Sequence, residues 1–525
     1  VKPQDQKKIV VEVVQRVLQA EGSNPNAVEQ TLIDTMFWER QRLEQEKHRG
    51  KAKKEIAFYQ RIRSQMLKAS PERQRELLAE VIRFFAEEVL GHFSEPMYRV
   101  ATQIIPVGLN SLLNTLSPLR MIREFPKGLG QWVDQIKIYG EVKLLQDLAK
   151  RGVIILVPTH VSNLDSILIG YALYQMGLPP FLYGAGLNLF SNKFLGFFMD
   201  HLGAYKVDRK KKAPLYKEVL KTYAGCSMEM GYHNLFFSGG TRSRSGAVEK
   251  KIKLGLLGMG LDAYIHNLLA EKSRPDIFVV PCTLNYQLVL EAETLIEDHL
   301  KEAGKNRYII EDDESYQLKR VLEFMASLFS LESRIHVVIS PALDLFGNRV
   351  DGEGHSRDQR GRVIDRRRYV LKSKVPVFDA QRDQEYTREL GEKIVESFAH
   401  DTVIGSVQLV SWVIFKWLLE VNPGMDLYRL LRTGGALESL PLTEAYARFE
   451  AAWAAIKKLA EAGQIRLDDT LRQDDPIAIF SEALAHLHGQ HGEPVLVRKG
   501  DRLFHHNRKL LLYYQNRVPP LEVGT

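Results

Sequence analysis

The sequence predicts an α/β protein, with a central, mostly parallel sheet and flanking helices, set between helical N- and C-terminal regions. Three observations predict it. Short apolar runs at 152–157, about 180–184, about 204–207, 234–238, 277–281 and 335–340 alternate with helical patterns. On either side of that interval, apolar residues recur at helical spacing instead. The first run, Gly152 to Val157, stops at Pro158 and delivers His160 to a strand end, with Asp165 five positions later. In sheets of this kind, chemistry gathers at strand ends. The expected organisation is a helical region over 1–100, an α/β domain over 101–400 and a mainly helical region over 401–525.

A chain of 525 residues can bury more than one core, and its 45% hydrophobic and 26% charged content is that of a folded protein. The net charge of +7 suits an acidic substrate or an anionic membrane surface. No zinc-finger spacing, RNP-like stretch or glycine-rich segment supports a nucleic-acid partner. Cys226 and Cys282 lie far apart without metal-site spacing, so neither a disulfide nor a metal is expected, and a reducing compartment fits. The segment VKPQDQKKIVVEVV lacks the apolar core of a signal peptide. The nearest approach to a spanning helix, Val403 to Val421, carries Lys416 and Glu420. A protein lying on a bilayer stays open.

In chain order, Asn24-Pro25-Asn26 interrupts a first helix, and Val28 to about Leu67 reads as one long, charged helix with a solvated face. Ser70-Pro71 is a cap followed by a first-turn proline, opening another helix through Phe84, Phe85 and Leu90. Residues 96–118 are apolar and are assigned to core ahead of an interfacial element. Leu119 to Leu148 reads as helical at both ends, broken near Pro126-Lys127-Gly128. Beyond 401 the helices include the alanine-rich stretch 445–462, and 493–498 supplies a small strand.

The chemistry-bearing residues fall into three groups. Ser162 and Asn163 are expected to cap the apolar helix Ser166 to Tyr174, and the turn can set the Asp165 carboxylate beside the His160 imidazole. A carboxylate there fixes the tautomer and leaves the other ring nitrogen free to take a proton from an alcohol. The alternative is a capping aspartate beside a histidine that merely satisfies a loop. Next, Gly203 to Arg209 alternates like a strand and presents Arg209 at its end; Lys210, Lys211 and Lys212 read as a solvated charge run. Arginine suits phosphate because its planar fork donates two parallel hydrogen bonds. Last, Asn234 to Gly246 runs a strand into Gly239-Gly240, then Thr241, Arg242, Ser243 and Arg244. Two glycines permit a tight turn and close backbone approach to a phosphate, and such turns also occur for structural reasons alone.

Together, His160 with Asp165, the Gly203–Arg209 stretch, FSGGTRSRSG and Val279-Val280-Pro281-Cys282-Thr283 occur in the order of the four motifs of glycerolipid acyltransferases. The flanks VVPCTLNYQLVLEAETLIEDHL, Lys253-x-Gly255-Leu256-Leu257, DTVIGSVQLVSW and RKLLLYYQNR resemble the long bacterial and mitochondrial glycerol-3-phosphate 1-O-acyltransferases, over roughly residues 80–525. The resemblance implies the glycerolipid acyltransferase fold, His160 as general base and Asp165 as its orienting partner. It also implies Arg209, Arg242 and Arg244 as phosphate ligands, in a pocket formed by Gly239, Gly240, Thr241, Ser243 and Pro281. Two positions depart from it: the third motif usually has glutamate where this chain has Gly239, and the second usually has an aromatic residue where it has Lys206.

The activity so implied is transfer of a fatty acyl group from acyl-CoA or acyl carrier protein to the sn-1 hydroxyl of glycerol 3-phosphate, giving lysophosphatidic acid. The thioester is a co-substrate and no cofactor is needed. Tyr183 to Phe198 is aromatic-rich and is a candidate acyl groove or membrane-facing patch, with core packing as the alternative. The expected location is peripheral or monotopic attachment to anionic lipids on the cytoplasmic face of a bacterial inner membrane. Rival readings are another acceptor (1-acyl-glycerol 3-phosphate or dihydroxyacetone phosphate), a thioester or lipid hydrolase, and a non-catalytic lipid-binding protein.

Overall fold

The computed structural model describes residues 1–22, 24–45, 52–91, 94, 136–187, 203–237, 239–303, 334–489, 491 and 493–521. Its centre is a seven-stranded sheet ordered β1-β7-β6-β2-β5-β3-β4. The strands are β1 (Ile136–Gly140), β2 (Val153–Pro158), β3 (Leu182–Gly186), β4 (Ala204–Val207), β5 (Asn234–Leu235), β6 (Ile277–Tyr286) and β7 (Ile335–Ile339). Every neighbouring pair is parallel except β6 with β7. β2 is buried along its whole length, the pattern of a strand covered on both faces. Ile154 and Leu156 face one core, whereas Val153, Ile155 and Val157 face another.

Each apolar run predicted as a strand contributes to this sheet, with two corrections. β5 ends at Leu235, because the chain turns where the Gly240 N–H donates to the Phe237 carbonyl at 3.0 Å. β1 lies where a helix was expected: Ile136 to Gly140 pair in register with Ile335 to Ile339, and among the described residues of that stretch Val142–Ala149 is helical. Its side chains alternate in burial at Ile136, Lys137 and Ile138, a strand's period that the surrounding helical pattern obscured. The apolar stretch 96–118 and the rest of 119–135 lie outside the described residues, as do 188–200.

Before the sheet come α1 (Pro3–Glu21), α2 (Pro25–Gln45), α3 (Ala52–Met66) and α4 (Pro71–Val89). The Ser70 hydroxyl accepts the Arg73 N–H at 3.3 Å and Pro71 opens α4, as the sequence predicts. The single long helix expected over 28–67 is instead two helices folded back on each other. Arg42 on α2 donates to Glu55 on α3, whereas thirteen residues along one helix would part them by about 20 Å. This bundle shares a core with Leu182, Tyr205, Tyr216 and Tyr223, and so packs against the β4 edge of the sheet.

That contact also corrects the assignment of the lysine run to solvent. Lys210 and Lys212 are exposed, but Lys211 is buried. Its ammonium pairs with Glu88 of α4, lies 3.9 Å from buried Glu39 of α2, and sits 4.8 Å from the Phe85 ring centroid. A turn closed by the Lys211 N–H on the Asp208 carbonyl at 3.2 Å points this one lysine back into the bundle. Arg42 and Glu39 are buried with it, so the charged face of α2 is in part an internal ionic contact.

The later helices are α5 (Val142–Ala149), α6 (Asp165–Gln175), α7 (Pro214–Glu229), α8 (Gly255–Leu269), α9 (Ala292–Ala303), α10 (Ala380–His400), α11 (Ser406–Glu420), α12 (Leu427–Thr433), α13 (Leu442–Glu461), α14 (Pro476–Gly489) and α15 (Arg508–Gln515). α8 and α10 cover one face of the sheet. α5, α6 and α11, with the helices beyond α11, join the core on the other. The C-terminal region also holds small sheets, one of which includes Leu496–Lys499 near the strand predicted at 493–498. Asp468 ties it to β7, accepting from His336 at 2.6 Å and Arg334 at 2.7 Å. α11, the nearest approach to a spanning segment, is largely buried. Among the described residues, no helix is long and apolar enough to cross a membrane.

One buried carboxyl makes stability depend on pH. Burial, with Asp383 and Glu218 nearby, pushes Asp262 on α8 up to about 6. Because the folded value lies above the unfolded one, the stability is present below the ordinary carboxylate range and is lost as pH rises through about 6. Asp262→Asn, which mimics the protonated form, is expected to stabilise the protein by on the order of 1–2 kcal/mol above pH 7 and to change little near pH 4. Thermal melts of both proteins across that range check it; an equal gain at both ends would contradict the assignment.

Candidate active site

His160 leaves the sheet just after β2, where the Thr159 N–H still donates to the Cys282 carbonyl of β6 at 2.9 Å. Asp165 is the first residue of α6 and is fully buried. Its Oδ2 accepts from His160 Nδ1 at 2.8 Å and from the backbone N–H groups of Val161 at 2.6 Å and Ser162 at 3.0 Å. Its Oδ1 accepts from the Tyr286 hydroxyl on β6 at 2.5 Å. Burial and the neighbouring Asp165 charge hold the Tyr286 phenol well above its ordinary value, so it stays a donor. One carboxylate therefore does both things the sequence allowed: it closes the turn through backbone N–H groups and it orients the imidazole.

The ring of His160 stacks on Phe237, with centroids 4.3 Å apart. Nδ1 faces Asp165, and Nε2 has no hydrogen-bond partner among the described residues. That nitrogen is the one able to accept a proton. Ser162 and Asn163 do not cap α6 as expected. The Ser162 hydroxyl accepts the Leu164 N–H at 3.2 Å and donates to Glu291 Oε2 at 2.8 Å; the Asn163 N–H donates to Glu291 Oε1 at 2.8 Å.

The glycine–arginine loop clamps the backbone of His160 from both sides. The Ser243 N–H donates to the His160 carbonyl at 2.8 Å, and the His160 N–H donates to Glu249 Oε1 at 2.9 Å. Gly240 has φ +70°, the left-handed conformation that its turn requires. The N–H groups of Gly240 and Ser243 are used internally, which leaves the side chains to carry much of any phosphate recognition. Arg242 lies 3.3 Å from Glu291 Oε1, within the same cluster as Ser162 and Asn163. Arg244 pairs at 2.8 Å with Glu302 of α9, an exposed carboxylate.

The remaining expected site residues are placed differently. Thr241 is exposed on the loop, beside Gly239. Arg209 is exposed beyond the end of β4, at the same edge as His160, but β5 and β3 intervene, a separation of about 14 Å across the sheet. Pro281 is buried within β6, in register with Val157 of β2, and shapes the sheet beneath His160.

Residues 136–285 match the sequence model of a family described as Acyltransferase. Residues 136–285, which hold six of the seven strands and the His160 loop, are thus similar to acyltransferases. The chain is 27% identical over 281 residues to a glycerol-3-phosphate acyltransferase of Pseudomonas syringae pv. syringae, covering 52% of this chain and 30% of that protein. It is 32% identical over 182 residues to the glycerol-3-phosphate acyltransferase of Pseudomonas syringae pv. tomato, covering 34% and 21%. It is 35% identical over 175 residues to that of Aeromonas hydrophila, covering 33% and 20%. The chain thus matches less than a third of the length of these relatives.

The site rests on several residues to which the sequence assigned no role. Glu291 is fully buried; burial pushes its carboxyl up while Arg242 opposes this. It links Arg242 to the 162–163 turn and so to the His160–Asp165 pair. Lys253 is a further cation at the loop: a Cβ on Gly240 would come within 2.4 Å of its ammonium. The terminal stretch RKLLLYYQNR forms α15 and backs the loop. A Cβ on Gly246 would meet the Tyr513 carbonyl at 2.2 Å, and Asn516 donates to the Ser245 carbonyl at 2.9 Å. Arg517 donates to the Leu284 carbonyl at 2.7 Å and to Asn285 at 2.9 Å. The family resemblance marked these flanks; nothing in their local pattern says that they fold back onto residues 240–290. Among the described residues, no cluster of His, Cys, Asp or Glu could hold a metal ion.

Proposed function

We propose that the chain transfers a fatty acyl group from a thioester, acyl-CoA or acyl carrier protein, to the sn-1 hydroxyl of glycerol 3-phosphate, giving lysophosphatidic acid. The observation that carries this reading is His160, with Nδ1 held by buried Asp165 and Nε2 without a partner among the described residues, in contact with the loop of Arg242 and Arg244. The names of the relatives support the acceptor.

In this mechanism Nε2 removes the proton of the acceptor hydroxyl as its oxygen attacks the thioester carbonyl. Asp165 stabilises the imidazolium, the carbon–sulfur bond breaks, and the thiolate leaves with the returned proton. No covalent enzyme intermediate and no cofactor is required. Arg242 and Arg244, with Lys253 at the same loop and Arg209 further along the edge, supply positive charge for the acceptor phosphate, so that a bimolecular reaction becomes an oriented one. Association with an anionic membrane, peripheral or monotopic on the cytoplasmic face of a bacterial inner membrane, fits a lipid product and the net charge of +7.

The test is transfer of a labelled acyl group to a panel of acceptors: glycerol 3-phosphate, 1-acyl-glycerol 3-phosphate, dihydroxyacetone phosphate, glycerol, and none. Product that depends on glycerol 3-phosphate is expected. Fatty acid release that ignores the acceptor would mark a hydrolase, and no turnover of any thioester would leave a lipid-binding protein.

A further inference from the structure

The loop holds a carboxylate whose second oxygen is unused. Glu249 Oε1 accepts the His160 N–H at 2.9 Å, while Oε2 is buried and has no hydrogen-bond partner among the described residues. A carboxylate ordinarily fills both oxygens, and a buried one left empty is costly unless something donates to it. Burial is the largest influence on Glu249 and pushes it up; the His160 N–H and the charges of Arg517 and His160 favour its ionised form. Glu249 also lies against the glycine turn. A Cβ on Gly239 would come 3.1 Å from the Thr241 carbonyl, a tight contact, and 3.7 Å from Glu249 Cγ and 3.8 Å from Oε1, both ordinary ones. The carboxylate thus stands where a side chain at 239 would reach, one hydrogen bond from the backbone of the general base.

We propose that Glu249 is a specificity-determining residue, whose free carboxylate oxygen receives the acceptor hydroxyl adjacent to the one acylated. This rests on the glycerol 3-phosphate reading and adds to it the group that recognises the second hydroxyl. The sn-1 hydroxyl approaches His160 Nε2, the phosphate lies toward the arginines, and the sn-2 hydroxyl donates to Oε2. The same contact favours a polyol phosphate over a simple alkyl phosphate.

The experiment compares glycerol 3-phosphate with 3-hydroxypropyl phosphate, which keeps the reacting hydroxyl and the phosphate but lacks the middle hydroxyl. The parent is expected to prefer glycerol 3-phosphate in kcat/KM by roughly ten- to a hundredfold, the size expected of one hydrogen bond to a charged group. Glu249→Gln keeps the shape and an acceptor for the His160 N–H, and should shrink that ratio to about threefold, with the KM for the thioester donor unchanged. Because the ratio is internal to one variant, a general loss of activity or folding does not move it. Glu249→Ala combined with Gly239→Glu, which returns a carboxylate from the facing position, should recover most of the parent ratio. An E249Q ratio equal to that of the parent would overturn the proposal and leave Glu249 as a support for the His160 backbone. Failure of the parent to use glycerol 3-phosphate at all would instead overturn the acceptor reading, so the two fail separately.

Discussion

His160→Ala is expected to lower acyl transfer about a thousandfold or more, with the KM for glycerol 3-phosphate and the thermal melting point little changed. The expectation follows from the geometry. Nε2 is the ring nitrogen not held by Asp165, and the ring stacks on Phe237. Asp165→Asn should cost less in rate and more in stability. The carboxylate accepts from His160 Nδ1, two backbone N–H groups and the Tyr286 hydroxyl, and a side-chain amide offers one acceptor oxygen in place of two. About a hundredfold loss in kcat, with a lowered melting point, is the expected result. Single-turnover rates with labelled thioester, together with melts of each variant, decide between the roles. Undiminished transfer by purified H160A would remove the general base from the mechanism.

The second large effect concerns the acceptor phosphate. Arg242→Ala is expected to raise the KM for glycerol 3-phosphate far more than that for the thioester, a loss on the order of 2–5 kcal/mol. Part of that loss comes from elsewhere, because Arg242 also lies 3.3 Å from buried Glu291, whose carboxylate would lose its charged neighbour. R242A combined with E291Q removes that burden. If the phosphate contact is real, the double variant regains stability but not acceptor affinity. Lysine at 242 should rescue only in part, since it keeps the charge without the planar fork. Arg244→Ala should do less to stability, because its partner Glu302 is exposed. Initial rates against acceptor concentration, repeated with glycerol lacking the phosphate, measure all of these. Parent-like saturation by R242A would move the phosphate site elsewhere.

The strands and the His160–Asp165 pair were legible for a local reason. A parallel strand buried on both faces must be an apolar run, and a residue just past its end is placed by the run itself; this is why 152–157 led directly to His160. The family motifs then supplied roles that composition and periodicity do not contain. The helical bundle was legible as helix but not as a folded-back pair, since periodicity reports which face is apolar and says nothing about where a chain reverses. Likewise, a run of three lysines looks the same whether or not its middle member is buried. Lys211 is resolved only by Glu88 and Glu39, which arrive from helices more than a hundred residues earlier.

By itself, then, the sequence determined the α/β class, the strands that converge on one edge, and the His160–Asp165 pair with an arginine-bearing glycine loop nearby. Each of these depends on neighbours within a few positions along the chain. Tertiary structure alone decided which charges are internal and which groups hold the site together. Tyr286 reaches Asp165 from β6, Glu291 joins Arg242 to the 162–163 turn, Glu249 grips the His160 backbone, and α15 closes behind the loop. These contacts span sequence separations from tens to hundreds of residues. Their energies come from desolvation and from hydrogen-bond geometry, which exist only once the layers have packed.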